Sequence, residues 1–168
     1  MRTLVLGLGN DLFGDDGVGL HLVNSLRAEF AGQRVSSGSI DFLASTSTGL
    51  ALLDLVTGYD RLIIIDTIKL EKPKTGTVRV LEEKDLRAIP GPSPHYLSFP
   101  QVLAIGRAAG LSVPKELTII AIEAKNIYHL GEGLSPEMEA KLPEILSRIK
   151  SLLGLDSVTH ESKRNRCS

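Results

Sequence analysis

Cysteine is nearly missing from this chain of 168 residues: Cys167 is the only one, and there is no tryptophan. One thiol cannot form an internal disulfide framework or a cysteine-based structural zinc site, which suits a reducing compartment. An excess of either charge is also missing. The 19 Lys and Arg stand against 20 Asp and Glu, a net charge of -1, so no general cationic field attracts a nucleic-acid backbone. Long hydrophobic runs are absent too. The longest, such as Leu62 to Ile65 and Leu117 to Ile122, fall far short of the ~20 residues that span a bilayer. Thr3 to Gly9 is too short for a secretory signal and Asp11 follows it closely, so a soluble cytoplasmic protein without membrane insertion is expected. The length fits one domain, burying roughly 70% of its unfolded surface.

Apolar runs alternate with amphipathic ones, the pattern of strands and helices around a mainly parallel sheet. Thr3 to Leu8 reads as a buried first strand. A helix is expected from about Asp16, because Val18, Leu22, Leu26 and Phe30 repeat at four-residue spacing and acids suit a helix N-terminus. Residues 34 to 42 give a weaker second strand. Leu50 to Val56 gives a short helix with Thr46, Ser47 or Thr48 as its cap. Arg61 to Asp66 carries four consecutive large aliphatics that need cover on both faces, so it belongs in the sheet centre. Residues 76 to 82 alternate as a half-exposed strand, and Lys84 to Pro94 reads as a long irregular loop of a kind that is often functional. Leu97 to Ala109 is expected as a helix and Glu116 to Ala124 as the final central strand. The last helix starts at Ser135-Pro136-Glu137, with Pro143 expected to kink or restart it. This organisation predicts one α/β domain over residues 1–153 and a polar, flexible tail over 154–168.

In a parallel sheet the functional crevice lies beyond the carboxyl ends of the strands. Three groups reach it: the loop Gly7-Leu8-Gly9-Asn10-Asp11-Leu12-Phe13-Gly14-Asp15-Asp16-Gly17, then Asp66, then His95 in Ser93-Pro94-His95. The glycines do not form a dinucleotide fingerprint, since Leu12 takes the third glycine's place and two acids occupy the helix end where a pyrophosphate binds. Taken singly, each residue also has an ordinary reading. The glycines make a tight turn, Asp15 and Asp16 are helix-end acids, and Asp66 caps or pairs with Lys69 or Arg61. His95, like His21, His129 and His160, sits on the surface. Together, Asp16, Asp66 and His95 supply two carboxylates and one imidazole, a donor set suited to a divalent transition ion. No Gly-x-Ser-x-Gly elbow, His-Glu-x-x-His helix or phosphate loop is present, and Cys167 lies in the tail without a positioned base.

Five segments carry a family resemblance: Leu4-Val5-Leu6-Gly7-Leu8-Gly9-Asn10, Asp15-Asp16-Gly17-Val18-Gly19, Leu62-Ile63-Ile64-Ile65-Asp66, Ser93-Pro94-His95 and Gly133-Leu134-Ser135-Pro136. In order and position the chain resembles the nickel-iron hydrogenase maturation endopeptidases over roughly residues 1 to 153. The resemblance implies a three-layer α/β/α fold with a twisted, mostly parallel five-stranded sheet. It implies metal ligation by Asp16, Asp66 and His95, and a nickel-loaded hydrogenase large-subunit precursor as the partner that supplies the nickel and loses a C-terminal extension. The family's Gly-Gly-Thr-x-Gly-like segment is replaced here by Ser45-Thr46-Ser47-Thr48-Gly49, and its first ligand, often Glu, is the shorter Asp16. Two other readings use the same residues. A signalling receiver domain would use Asp15, Asp16, Asp66 and Lys125, although Asp15 lies several residues beyond the strand end. A nickel-binding chaperone would use the three ligands without cleaving.

Overall fold

A computed structural model describes residues 1–30, 34–35, 38–88, 99–125, 127–131 and 133–156. The continuous apolar runs form the sheet. β1 (Arg2–Leu8), β3 (Gly38–Ser45), β4 (Arg61–Ile68) and β6 (Glu116–Glu123) are parallel neighbours in the order β3-β1-β4-β6. β5 (Val78–Glu82) closes one edge antiparallel to β6. These are the five strands expected. A sixth, β2 (Arg34–Val35), has only two residues and lies antiparallel on the start of β3. Residues 34 to 42 are therefore a hairpin and a strand rather than one strand. Gly38 permits the split: its φ is +131°, and a Cβ there would stand 2.1 Å from the Met1 carbonyl oxygen.

Period-two alternation sorts each strand between two cores. Val5, Ile63, Ile65, Ile120 and Ile122 face α1 (Val18–Phe30) and α4 (Pro136–Leu153), which contribute Leu22, Val23, Leu26, Met138, Ile145 and Ile149. Leu4, Leu6, Leu8, Leu62, Ile64 and Ile119 face α2 (Leu52–Val56) and α3 (Phe99–Ala108), with Leu52, Val56, Phe99 and Leu103. The layers are α/β/α. The strongest aliphatic run, Leu62 to Ile65, is fully covered in the sheet centre.

Several local expectations are adjusted. Short 3-10 turns precede the first two helices, at Gly14–Gly17 and Gly49–Ala51, and Thr48 caps the second without a side-chain bond. Ser45 Oγ instead accepts from Ser47 N at 3.0 Å. Residues Glu83–Ala88, expected as irregular, form a 3-10 helix; residues 89–98, including His95, lie outside those described. α4 runs through Pro143 without a break; Pro143 and Glu139, whose carbonyl loses its donor, are both exposed, so the lost bond is not sealed in the core. Leu155, just past that helix, is buried and donates its amide to the Lys150 carbonyl. The rest of the expected tail, residues 157–168, is outside those described. Among the described residues no helix is long and apolar enough to cross a membrane.

Candidate metal centre

The chain leaves β1 through α1 to reach β3 on one side, then returns through α2 to β4 on the other. The crevice between the carboxyl ends of β1 and β4 is thus the topological switch point, where ligands bind in open α/β sheets. β1 stops early there. Its pairing with β4 ends at Gly7 opposite Ile65, while β4 continues beside β6 to Ile68 opposite Glu123.

The loop after β1 is folded tightly over this opening. Gly9 has φ +146°, and a Cβ on it would lie 2.0 Å from the Asp16 carbonyl oxygen, so only glycine fits. Phe13 N bonds the Asn10 carbonyl at 3.1 Å and Asn10 Oδ1 accepts from Leu12 N at 3.0 Å. Asp16 Oδ2 accepts from Asn10 N at 3.0 Å, and Asp16 Oδ1 accepts from Thr67 Oγ1 at 2.9 Å. Asp16 is 5% exposed and Asp66 is wholly buried. Asp66 Oδ1 accepts from Thr67 N at 2.8 Å. Two carboxylates from separate segments are thereby tied to one threonine at the switch point.

Asp15 does something else. Also fully buried, it accepts from Ser135 N at 2.7 Å and Ser135 Oγ at 2.9 Å. The same Ser135 Oγ accepts from Met138 N at 3.2 Å as the cap of α4. Loop and helix are joined further by backbone bonds Gly14 N to Gly131 O and Gly131 N to Leu12 O. This leaves Asp15 committed to α4, and Lys125 bonds Glu137 at 3.0 and 3.1 Å. The acidic pair and lysine of a receiver domain are not assembled around Asp66. Beside the loop is an open hollow of about 460 Å³ lined by Asp11, His21, Asn24, Ser45 and Thr46 among others; His21 faces it rather than the carboxylates.

Of the three residues expected to hold a metal, the fold brings Asp16 and Asp66 to one place, and His95 is outside the described residues. Among those described, no three His, Cys, Asp or Glu form a metal-holding group. The chemistry of the donors present fits a divalent cation. Both are oxygen donors tied to one threonine, and burying ionised acids is costly in general unless a cation or donors compensate. Thr67 and the Asp15–Ser135 link escaped the sequence reading. Thr67 lay one residue past the strand expected over Arg61 to Asp66, and Ser135 looked only like a cap.

A doubly wound α/β sheet with buried acids at its switch point defines an open-sheet α/β protein with a candidate site at its strand ends. Comparison with known proteins specifies it. The family model described as HycI, hydrogenase maturation protease, matches residues 20–152. The chain is 30% identical to the hydrogenase 2 maturation protease of Escherichia coli strain K12, across 96% of this chain and 98% of that protein. Its fold matches the hydrogenase maturating endopeptidase HybD from Escherichia coli with TM-score 0.70 and 31% identity, over 91% of this chain and 92% of that one. It matches the NiFe hydrogenase maturation protease HybD from Thermococcus kodakarensis with TM-score 0.67 and 25% identity, over 90% and 99%. The chain belongs to the hydrogenase maturation protease family, and its activity is that of an endopeptidase. Asp66 and His95 fall inside the family-matched span, and Asp16 lies just before it.

Proposed function

We propose that this protein removes the C-terminal extension of a hydrogenase large-subunit precursor that already carries nickel, working in the cytoplasm. Asp16, Asp66 and His95 are the residues that meet the metal. The observation that carries this reading is the pair of buried carboxylates, Asp16 and Asp66, tied to one residue in the switch-point crevice. Oxygen and imidazole donors without thiolate suit a divalent transition ion. Ligation needs a deprotonated carboxylate and a neutral imidazole, so protons compete with a metal for such a donor set. In this reading the nickel is cargo of the substrate. It gives the protease a fixed point from which the scissile peptide is oriented, and a Lewis acid that polarises a peptide carbonyl. The sequence carries no Gly-x-Ser-x-Gly elbow, and the reading takes water as the attacking group. The burial of Asp16 and Asp66 keeps their geometry rigid while the peptide is held, which is where positioning contributes to rate.

The test is direct. Purified protein is incubated with nickel-loaded and nickel-free precursor and each product is weighed by mass spectrometry. Loss of the C-terminal peptide from the loaded form alone is expected. Cleavage of both forms at equal rates would remove the nickel recognition, and undiminished processing by His95→Ala would remove His95 from the site.

A further inference from the structure

Thr67 is placed in a run of aliphatics, Leu62 to Ile68 interrupted only by Asp66 and itself, and is 1% exposed. On packing grounds valine would serve this position better. It has nearly the same shape, it favours strands, and it has no hydroxyl to satisfy beside Ile63 and Ile65 on the α1 face. The hydroxyl needs a different reason, and the bonds supply one. Alternation along β4 sends Asp66 to the α2 and α3 face with Ile64 and Ile68, and Thr67 to the opposite face. Yet Thr67 serves a carboxylate on each side: its Oγ1 donates to Asp16 Oδ1 at 2.9 Å and its N donates to Asp66 Oδ1 at 2.8 Å. One residue thereby spends both of its donors on two acids that are 50 positions apart in sequence.

We propose that Thr67 is the positioning residue that sets the Asp16 and Asp66 carboxylates relative to each other for a divalent cation, an inference that rests on the metal reading above. Each donor fixes one oxygen of its acid and partly balances its charge, so two anions that repel each other keep one mutual orientation. A branched side chain in a strand has little χ1 freedom, which makes the hydroxyl a stiff mount. Removing an outer partner of a metal-ligating carboxylate typically weakens metal affinity about 10- to 100-fold. The amide bond to Asp66 survives substitution, so the hydroxyl bond to Asp16 is the part a variant isolates.

The experiment compares wild type, Thr67→Val, Thr67→Ala and Thr67→Ser by calorimetric titration with Ni²⁺ alone, each first checked for thermal unfolding. Val and Ala variants are expected to bind Ni²⁺ about 10- to 100-fold more weakly, and Ser, which keeps the hydroxyl, within about threefold of wild type. Thr67→Val leaves Asp16 Oδ1 short of a donor and should unfold somewhat below the wild-type temperature, so every titration is run well below the lowest midpoint, where all variants are folded; if Val does not fold, Ala carries the comparison. Equal affinity in Val, Ala and wild type would overturn the role of Thr67 and leave the metal reading standing. Failure of Ser to restore binding would overturn it as well. Wild-type protein that cleaves the nickel-loaded precursor but takes up no free Ni²⁺ would overturn the role of Thr67 in metal affinity and leave the processing reading standing.

Discussion

Replacing Asp15 by Ala removes a carboxylate that holds the start of α4 from the other end of the chain. Asp15 is fully buried and receives two bonds from Ser135, at 2.7 and 2.9 Å. Hydrogen bonds to a charged group are worth about 1.5–3 kcal/mol each, which gives roughly 3–6 kcal/mol for the pair. Deleting the acid also relieves the cost of burying its charge, so a net loss near 3 kcal/mol is expected. In a domain of this length that lowers the midpoint by about 6–12 °C. Asp15→Asn keeps an acceptor for the Ser135 amide and loses charge assistance at both bonds; about 1–2 kcal/mol is expected. Ser135→Ala removes a donor to Asp15 and the cap acceptor for Met138 N, again about 1–2 kcal/mol. Because the two residues share a bond, the double variant should fall short of the sum by about 1 kcal/mol. Urea unfolding followed by far-ultraviolet circular dichroism measures all four. An Asp15→Ala loss under about 0.5 kcal/mol, the scale of an ordinary surface change, would refute the argument, and so would simple additivity.

Gly19→Ala should be severe: the added Cβ would lie 2.3 Å from the Leu8 carbonyl oxygen and 2.5 Å from that of Ile65, and neither can rotate away. Pushing α1 off β1 and β4 is expected to cost about 1–3 kcal/mol or more, read from the melting temperature, whereas Gly131→Ala, with open space around it, should be near neutral. Burial, donation of its hydroxyl to Asp41 and the charge of Asp41 raise the Tyr59 pKa above the ordinary 10.0, outweighing the lowering by Arg2. Since the folded value lies above the unfolded one, this stability is present below pH 10 and is lost as pH rises through the folded value. An ultraviolet titration should therefore show one late-ionising tyrosine that Tyr59→Phe abolishes; an unchanged curve would count against it. Pro143→Ala restores an amide donor inside α4 on its exposed side and should raise the melting temperature, the gain being at most about 3 kcal/mol.

The strands that build the crevice were legible because they are apolar on both faces. Thr3 to Leu8, Leu62 to Ile65 and Leu117 to Ile122 admit few other placements than neighbouring buried strands, and their ends deliver Asp16 and Asp66 together. Weakly patterned segments were less legible. Residues 34 to 42 carry too few large apolar side chains to declare a register, so the two-residue hairpin strand at their start left no signal. α4 could not be read through Pro143, since the penalty depends on which side of the helix faces water, and that is decided by packing. The side-chain partners were invisible for a related reason. Thr67 meets Asp16 across 51 positions and Ser135 meets Asp15 across 120, and no local pattern encodes either bond.

Adjacent acids with the same local chemistry take different tasks here because of the turn that holds them. Gly14–Gly17 is a 3-10 turn, with 3.0 residues per turn, so successive side chains leave it about 120° apart. Asp15 is thereby aimed at Ser135 and α4, and Asp16 at Thr67 and β4. An α-helical start would separate them by a smaller angle, about 100°, and would lose the tight return that brings Asn10 N to Asp16 Oδ2. The turn therefore couples two things that are distant in sequence. A shift of the α4 N-terminus acts on Asp15, and through a rigid four-residue turn it acts on the carboxylate beside Thr67. Damage at Ser135 should then reach Ni²⁺ affinity as well as stability, whereas Pro143, two turns further along the same helix, should affect stability alone.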